Sequence, residues 1–316
     1  MGNFVIEQNK DYPVMTPILN TTKLVEIFIE CDDFCQKLHA HLLANDLHFE
    51  QMGTMAESEM MSIVIFYHHS GFKCFKYYYE CVILGRLRNY FPTALSYSRF
   101  VNLMKKMQLS LFTFLTCCRL ASATEGNFID ATKLVVCHNK RIKDHKVFKA
   151  FAKRGKSSTG WFFGFKLHAV INQYGQLVIF NFTKGNVADN NPDLLQNITK
   201  RLNGFLFGDA GYITSLKQKF SERGLELITK LRENMKPIDL TPMQKHYLRH
   251  RGLIESVFNL MKNHCDIDHS RHRSPQNFLI NLWSGLIAYS FLDTFPTMPM
   301  YIHKMSKSEI DKIVLI

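Results

Sequence analysis

Two runs with a strand-like period of two, residues 126–136 and 160–171, constrain this chain more than any other feature. In GWFFGFKLHAVI, the residues Trp161, Phe163, Phe165, Leu167, Ala169 and Ile171 fall on one side, and Lys166 and His168 fall on the other. In GNFIDATKLVV, the set Phe128, Asp130, Thr132, Leu134 and Val136 alternates with Ile129, Ala131, Lys133 and Val135. A period of two is the signature of a strand. Residues 172–175 make a turn, and QLVIFNFTKG is the hairpin partner of the second strand. A short helix over 193–202, a buried strand GFLFGD, a helix closed by Gly224 and a strand LELITKLR follow. Two helices, about 243–265 and 275–292, end the pattern, with Ser274 as cap and Pro275 as first helical residue of the second. The order predicts an α/β fold, one mixed sheet flanked by helices.

Residues 20–120 read differently. Apolar residues recur there at three and four, with helical stretches at 24–43 (preceded by Thr21, Thr22 and Lys23), 56–68, 73–88 and 96–116, punctuated by Gly71 and Pro92 and with Ser96 or Ser98 as a cap. Length suggests about two domains. The expected division is a helical N-terminal domain (1–120), a candidate DNA-reading unit of helix-turn-helix type, then an α/β domain (121–295) and an extension (296–316). At 46% apolar and 21% charged residues the chain has enough material for a core. No stretch reaches the ~18–20 apolar residues of a membrane helix; residues 278–292 come nearest but contain Asn281, Ser284, Gly285 and Ser290, and read as a buried helix. The N-terminus lacks a basic start followed by an apolar core, and Ile6 stands where a myristoylation signal wants Ser or Thr. Eight scattered cysteines without a C-x-x-C pair argue for free thiols in a reducing cytoplasm.

The charge is lopsided. Residues 1–125 hold 11 Lys and Arg against 12 Asp and Glu, whereas residues 126–316 hold 28 against 15. A polyanion is the expected partner of the second part, because each neutralised phosphate releases counterions. The densest run, KRIKDHKVFKAFAKRGK, carries Lys140, Arg141, Lys143, Lys146, Lys149, Lys153, Arg154 and Lys156. Phe148 and Phe151 interrupt it as anchors to the protein. A second cluster, His269, Arg271, His272 and Arg273, precedes Ser274. Either segment alternatively reads as a solvated loop.

Three carboxylates stand in unusual company. Asp130 interrupts an apolar strand, where an unpaired charge is costly. Asp209 ends a buried strand at a glycine turn, the edge where open α/β sheets place ligand groups. Glu255 lies on a helical stripe with Arg251, Asn259 and Lys262, beside the apolar stripe of Ile254, Val257, Phe258, Met261 and Cys265. Each has a structural explanation too: a buried ion pair for Asp130, a cap for Asp209, an i,i+4 pair for Glu255. Gly208 and Gly211 let DNA approach or permit a tight turn, the turn being the favoured explanation. Together, in a basic domain, the three acids favour a divalent site for Mg²⁺ or Mn²⁺.

These residues carry a family resemblance. FIDATKLVVCHNKRIKDHKVFKAFAKRGKSSTGWFFGFKLHAVIN, GNVADN, FGDAGY, RGLIESVFNLMKN and HSRHRSPQNFLINL resemble bacterial DDE transposases of the insertion sequence 982 type, over most of residues 95–292. The resemblance implies an RNase H-like fold and a triad of Asp130, Asp209 and Glu255. It matches an Arg-x3-Glu-x6-Lys signature to Arg251, Glu255 and Lys262; the Tyr that relatives place before it falls on Leu248, with Tyr247 one position off. It further implies two Mg²⁺ or Mn²⁺ ions, Asp130 bridging them, and hydrolysis followed by strand transfer. Lys262 would contact the phosphate beside the scissile bond, and Arg251 would orient Glu255 or do likewise. Lys166 and His168 would approach the DNA or, for His168, support the site. The implied partners are terminal inverted repeats and target double-stranded DNA, gripped by a homodimer in the bacterial cytoplasm, at the nucleoid. A nuclease that cuts without joining and an inactive DNA-binding protein are the rival readings; the intact triad counts against the second.

Overall fold

The structure is a computed structural model that describes residues 4–7, 14–47, 52–231, 233, 235, 239–268 and 272–301. Strands β1 (Phe4–Glu7) and β2 (Val14–Pro17) form an antiparallel pair. Helix α1 (Thr21–Ala44) starts where Asn20 accepts a hydrogen bond from the Lys23 amide, and buries Leu24, Ile27, Cys31, Phe34 and Cys35 along one stripe. Helix α2 (Glu57–Tyr67) buries ten of its eleven residues. It is a core helix with no face left for a DNA groove. The expected helix at 73–88 is composite: α3 (Phe75–Tyr78) runs into a π-helical stretch, Tyr79–Arg86. Likewise α4 (Tyr97–Leu103) continues through a 3₁₀ turn into α5 (Gln108–Cys118).

The large sheet grows from β3 (Gly126–Cys137), whose successive residues Phe128 and Ile129 enter separate clusters on its two faces. Strand β4 (Lys153–Ser157) forms a hairpin with β5 (Gly160–Asn172), and β5 turns through Gly175, at φ +71°, into β6 (Leu177–Lys184). Strand β5 lies antiparallel to β3, β4 and β6. After α6 (Pro192–Thr199), β7 (Gly204–Gly208) adds to β3 in parallel; after α7 (Lys217–Glu222), β8 (Leu225–Thr229) adds in parallel to β7. The basic run therefore ends in an edge strand, β4, which lacks apolar alternation.

The sheet buries both faces. Phe128, Leu134, Phe165, Leu167 and Ala169 face a cluster continuous with the N-terminal helices and with the two last helices of the chain. Ile129, Val170, Leu206 and Leu227 face Leu195 and Ile198 of α6 and Phe220 of α7. Helix α8 (Pro242–Arg249) opens on a capping box between Thr241 and Gln244, with Pro242 at its first position. The single helix expected over 243–265 is broken. His250 closes α8 through a bond between its Nδ1 and the His246 carbonyl (2.9 Å), and Gly252 precedes α9 (Leu253–Asn263). Helix α10 (Pro275–Ser290) is the expected buried helix and packs on α2, α5 and α9. Among the described residues no helix is long and apolar enough to cross a membrane, and all eight cysteines are free thiols.

Of the extension, residues 302–316 lie outside the described residues. Residues 296–301 form no helix; the Met298 amide donates to the Gln173 carbonyl (2.9 Å) and seats them on the β5–β6 turn. Three antiparallel strands followed by two parallel ones, in spatial order β6-β5-β3-β7-β8 with helices on both faces and a helical N-terminal region, make an RNase H-like α/β fold.

Candidate active site

Parallel pairing aligns the first two acids. Phe128 is level with Phe207, and Asp130 and Asp209 each lie two residues further along, on the same side of the sheet as that pair. Tyr247 of α8 stacks on Phe207 at 5.1 Å and covers this side, and its hydroxyl donates to Gln173 Oε1. Gly126 is needed there, since a Cβ would meet the Tyr247 ring at 2.2 Å. Tyr247 is thus a buried wall of the sheet.

Asp130 Oδ1 accepts from the Ala131 amide (2.7 Å), and the carboxyl is only 20% exposed. Burial pushes its pKa up to about 6, and the charges of Asp209 and Glu255 push the same way; the Ala131 amide and Arg251 oppose them. Asp209 Oδ1 accepts from the Gly211 amide (2.8 Å) and so caps the 3₁₀ turn Ala210–Tyr212. The glycines beside it are not there for backbone φ, since neither lies in the left-handed region. A Cβ on Gly211 would lie 2.9 Å from Asp209 Oδ1, and one on Gly208 would press on Ile129 and Tyr212. Close packing around Asp209 is their role, in place of the expected turn requirement.

Arg251 joins the third acid to the first. It sits in the break before α9, not within a continuous helix. One guanidinium nitrogen lies 3.6 Å from Asp130 Oδ2 and the other 3.1 Å from Glu255 Oε1. Glu255 occupies the first turn of α9 and is 61% exposed. Among the described residues no three His, Cys, Asp or Glu side chains stand close enough to share one ion. The donor chemistry nevertheless fits a hard divalent cation: three carboxylates, one of them buried against two like charges and short of compensating donors. Arg251 supplies part of that compensation to both Asp130 and Glu255.

The remaining expected residues separate into two sets. Lys262 is engaged: Nζ donates to the Lys133 carbonyl (2.6 Å) and pairs with Asp268 (3.2 Å), which also accepts from the Val135 amide. It braces α9 against β3. His168 is fully buried, with Nε2 3.0 Å from Thr183 Oγ1, and burial pulls its pKa down to about 4. It supports the interior and does not reach a DNA-facing surface. Lys166 pairs with Asp189 at 2.8 Å. By contrast Lys140, Arg141, Lys143, Lys146, Lys149, Lys153, Arg154 and Lys156 are all exposed, and none makes an ion pair among the described residues. Phe148 anchors their segment, buried between Phe165 and Phe278, but Phe151 is 52% exposed and anchors nothing. Arg273 is exposed, and His272 packs edge-on against Phe278; His269 and Arg271 lie outside the described residues.

Two residues near the acids escaped sequence reasoning. Asp189, in GNVADN, holds Lys166 and lies 3.8 Å from His168 Nδ1. Tyr212, in FGDAGY, is buried, and its phenol is pushed well above its ordinary pKa by burial and by the charges of Asp130, Asp189 and Asp209. Neither motif carries a local signal for these roles, which come from partners distant in the sequence.

A search of the curated proteins gives no match to this chain. Residues 120–275, which span all six strands of the large sheet, β3 to β8, and the whole of α8 and α9, match the family model of the transposase DDE domain, and this match supports a DDE transposase, an enzyme that acts on DNA.

Proposed function

We propose that this chain is a transposase of the insertion sequence 982 type that cuts DNA at the ends of a mobile element and joins the freed 3′ ends to target DNA. The observation that carries the reading is the alignment of Asp130, within β3, with Asp209, just past the end of the parallel strand β7, and Glu255 tied to Asp130 through Arg251. Asp130, Asp209 and Glu255 would hold two Mg²⁺ or Mn²⁺ ions. Such ions, when bound, polarise a phosphodiester and make water or a 3′-hydroxyl a competent nucleophile at neutral pH.

The chain's own residues do the rest. The Gly211 amide fixes the Asp209 carboxylate, and the parallel β3–β7 pairing sets its height beside Asp130. Arg251 holds the charge of Asp130 and Glu255 in balance, and is free to turn toward a phosphate once cations replace it. Lys262 keeps α9 at a fixed distance from β3, and its contact with a phosphate would require release from Asp268. The exposed basic run 140–156, with Arg273 and Arg271, would bind the duplex backbone of terminal repeats and target.

The division into a helical unit (1–120), a catalytic unit (121–295) and an extension (296–316) remains part of this proposal, as do a homodimer on two DNA ends and a cytoplasmic location. The test is a cleavage and joining assay on a labelled element end in Mg²⁺. Asp209→Asn is expected to abolish both products while DNA affinity stays within a few-fold. Wild-type cleavage by that variant removes Asp209 from the mechanism. Cut ends that are never joined make the protein a nuclease.

A further inference from the structure

The most basic segment of the chain carries a tryptophan on its surface. Trp161 opens β5 and is 52% exposed; Trp283, the other of the two tryptophans in the sequence, is 6% exposed. Lys156 stands directly opposite Trp161 in the β4–β5 register, and Arg154 opposite Phe163, so all three side chains share one face of the hairpin. The Arg154 guanidinium carbon lies 4.7 Å from the indole centroid and the Lys156 ammonium 5.9 Å. The tip is tied down: Asn139 Nδ2 donates to the Trp161 carbonyl (2.7 Å), and Ser157 Oγ to the Gly160 carbonyl (3.1 Å). An indole fixed this way loses little freedom on binding, yet half of its surface remains in water.

Position excludes a catalytic role. Ala169 is the partner of Asp130 across the β3–β5 ladder, and Trp161 lies eight residues earlier on the same strand, about 26 Å away at the rise of a strand. That span equals roughly eight nucleotides of DNA strand. Chemistry then selects the partner. The cations on β4 and in the run before it repel a basic surface and attract phosphate, while the indole offers a flat π-face. Paired bases in a duplex keep their faces covered, whereas an unpaired base offers one for stacking, and such stacking tolerates any sequence.

We propose that Trp161, flanked by Arg154 and Lys156, is a stacking platform for an unpaired base of the bound DNA strand. This rests on the DNA-binding part of the proposed function. The test titrates the full chain, without divalent metal, with single-stranded oligothymidylate and with a blunt duplex of equal length, following tryptophan emission and affinity together. Single strands are expected to quench the emission. Trp161→Phe, which leaves only the buried Trp283 as reporter, should lose the quenching and keep single-strand affinity within about threefold. Trp161→Ala should weaken single-strand binding about tenfold and duplex binding less than twofold. Quenching that persists in Trp161→Phe overturns the platform, as does single-strand binding without quenching, or an equal loss of both DNA forms in Trp161→Ala. If Trp161→Ala fails to fold, the comparison of wild type with Trp161→Phe decides. A chain that binds no DNA at all refutes the broader reading as well; a chain that binds DNA with a silent Trp161 refutes the platform alone.

Discussion

Replacing Asp130 by Asn should make the cation-free protein more stable, and the size of the gain follows from the site. Burial and two neighbouring acids raise the Asp130 pKa to about 6. Relative to an ordinary carboxylate, holding the ionised form in the fold then costs about 3 kcal/mol, as an order of magnitude. The carboxyl is 20% exposed, so solvent screening removes little of this. The folded state binds the proton more tightly than the unfolded chain, so stability falls as pH rises from about 4 to 6, and the full cost is present above that window. Asn carries no such cost. At pH 7.5 in chelator, thermal or urea unfolding should therefore show Asp130→Asn more stable, by roughly 5 °C for a protein of this size. At pH 4 the two proteins should converge. Adding millimolar Mg²⁺ should stabilise the wild type, since a ligand of the folded state shifts the equilibrium by mass action, and should leave the variant unmoved. An Asn variant less stable at pH 7.5, or equal stabilisation of both proteins by Mg²⁺, would refute the argument that Asp130 is a strained anion awaiting a cation.

Three further outcomes follow from particular contacts. Gly211→Ala places a methyl 2.9 Å from Asp209 Oδ1 and should lower cleavage at least tenfold without unfolding the chain, read by cleavage rate and circular dichroism side by side. Converting Lys146, Lys149 and Lys153 to Gln should flatten the salt dependence of duplex affinity by up to about 3 in log–log slope, and an unchanged slope would take these side chains off the phosphates. Phe148→Ala should cost about 3–5 kcal/mol in urea unfolding, because the ring is buried between Phe165 and Phe278; a loss below 1 kcal/mol would mean that the ring does not anchor the basic segment.

The legible parts of the chain were those where burial leaves a period. Strands β3 and β5 send successive side chains into separate apolar clusters on the two faces of the sheet, and Asp130 stood out because a carboxylate interrupts an apolar strand. Strand β4 was illegible for the opposite reason. KRGKS has no apolar face, and its place is set by backbone pairing and by Gly155, where a Cβ would lie 2.0 Å from the Gly185 carbonyl. The break between α8 and α9 was hidden as well, since the apolar spacing continues across it and the end of α8 is marked by bonds from His250 back to the His246 and Tyr247 carbonyls. Asp189 and Tyr212 gain meaning from neighbours far away in the chain, which no local pattern carries.

The packing also bears on how the proposed units depend on one another. Glu255 rides on α9, whose apolar side, Ile254, Val257, Phe258 and Met261, is buried in the same cluster as α10 and the N-terminal helices. Helix α10 in turn packs on α2 and α5, and His68 of the helical part meets Ser284 inside that contact (2.9 Å). A cut at residue 120 would therefore bare the buried side of α10, a largely continuous apolar surface from Phe278 to Tyr289. Removing it from water is one of the larger stabilising contributions to this fold. The proposed boundary divides function, not folding. Lys262 braces α9 directly against β3, but the other support of α9, helix α10, is covered by helices that precede the catalytic unit in the chain, so residues 121–295 expressed alone should aggregate, and the full chain is the piece on which the acid geometry is to be tested.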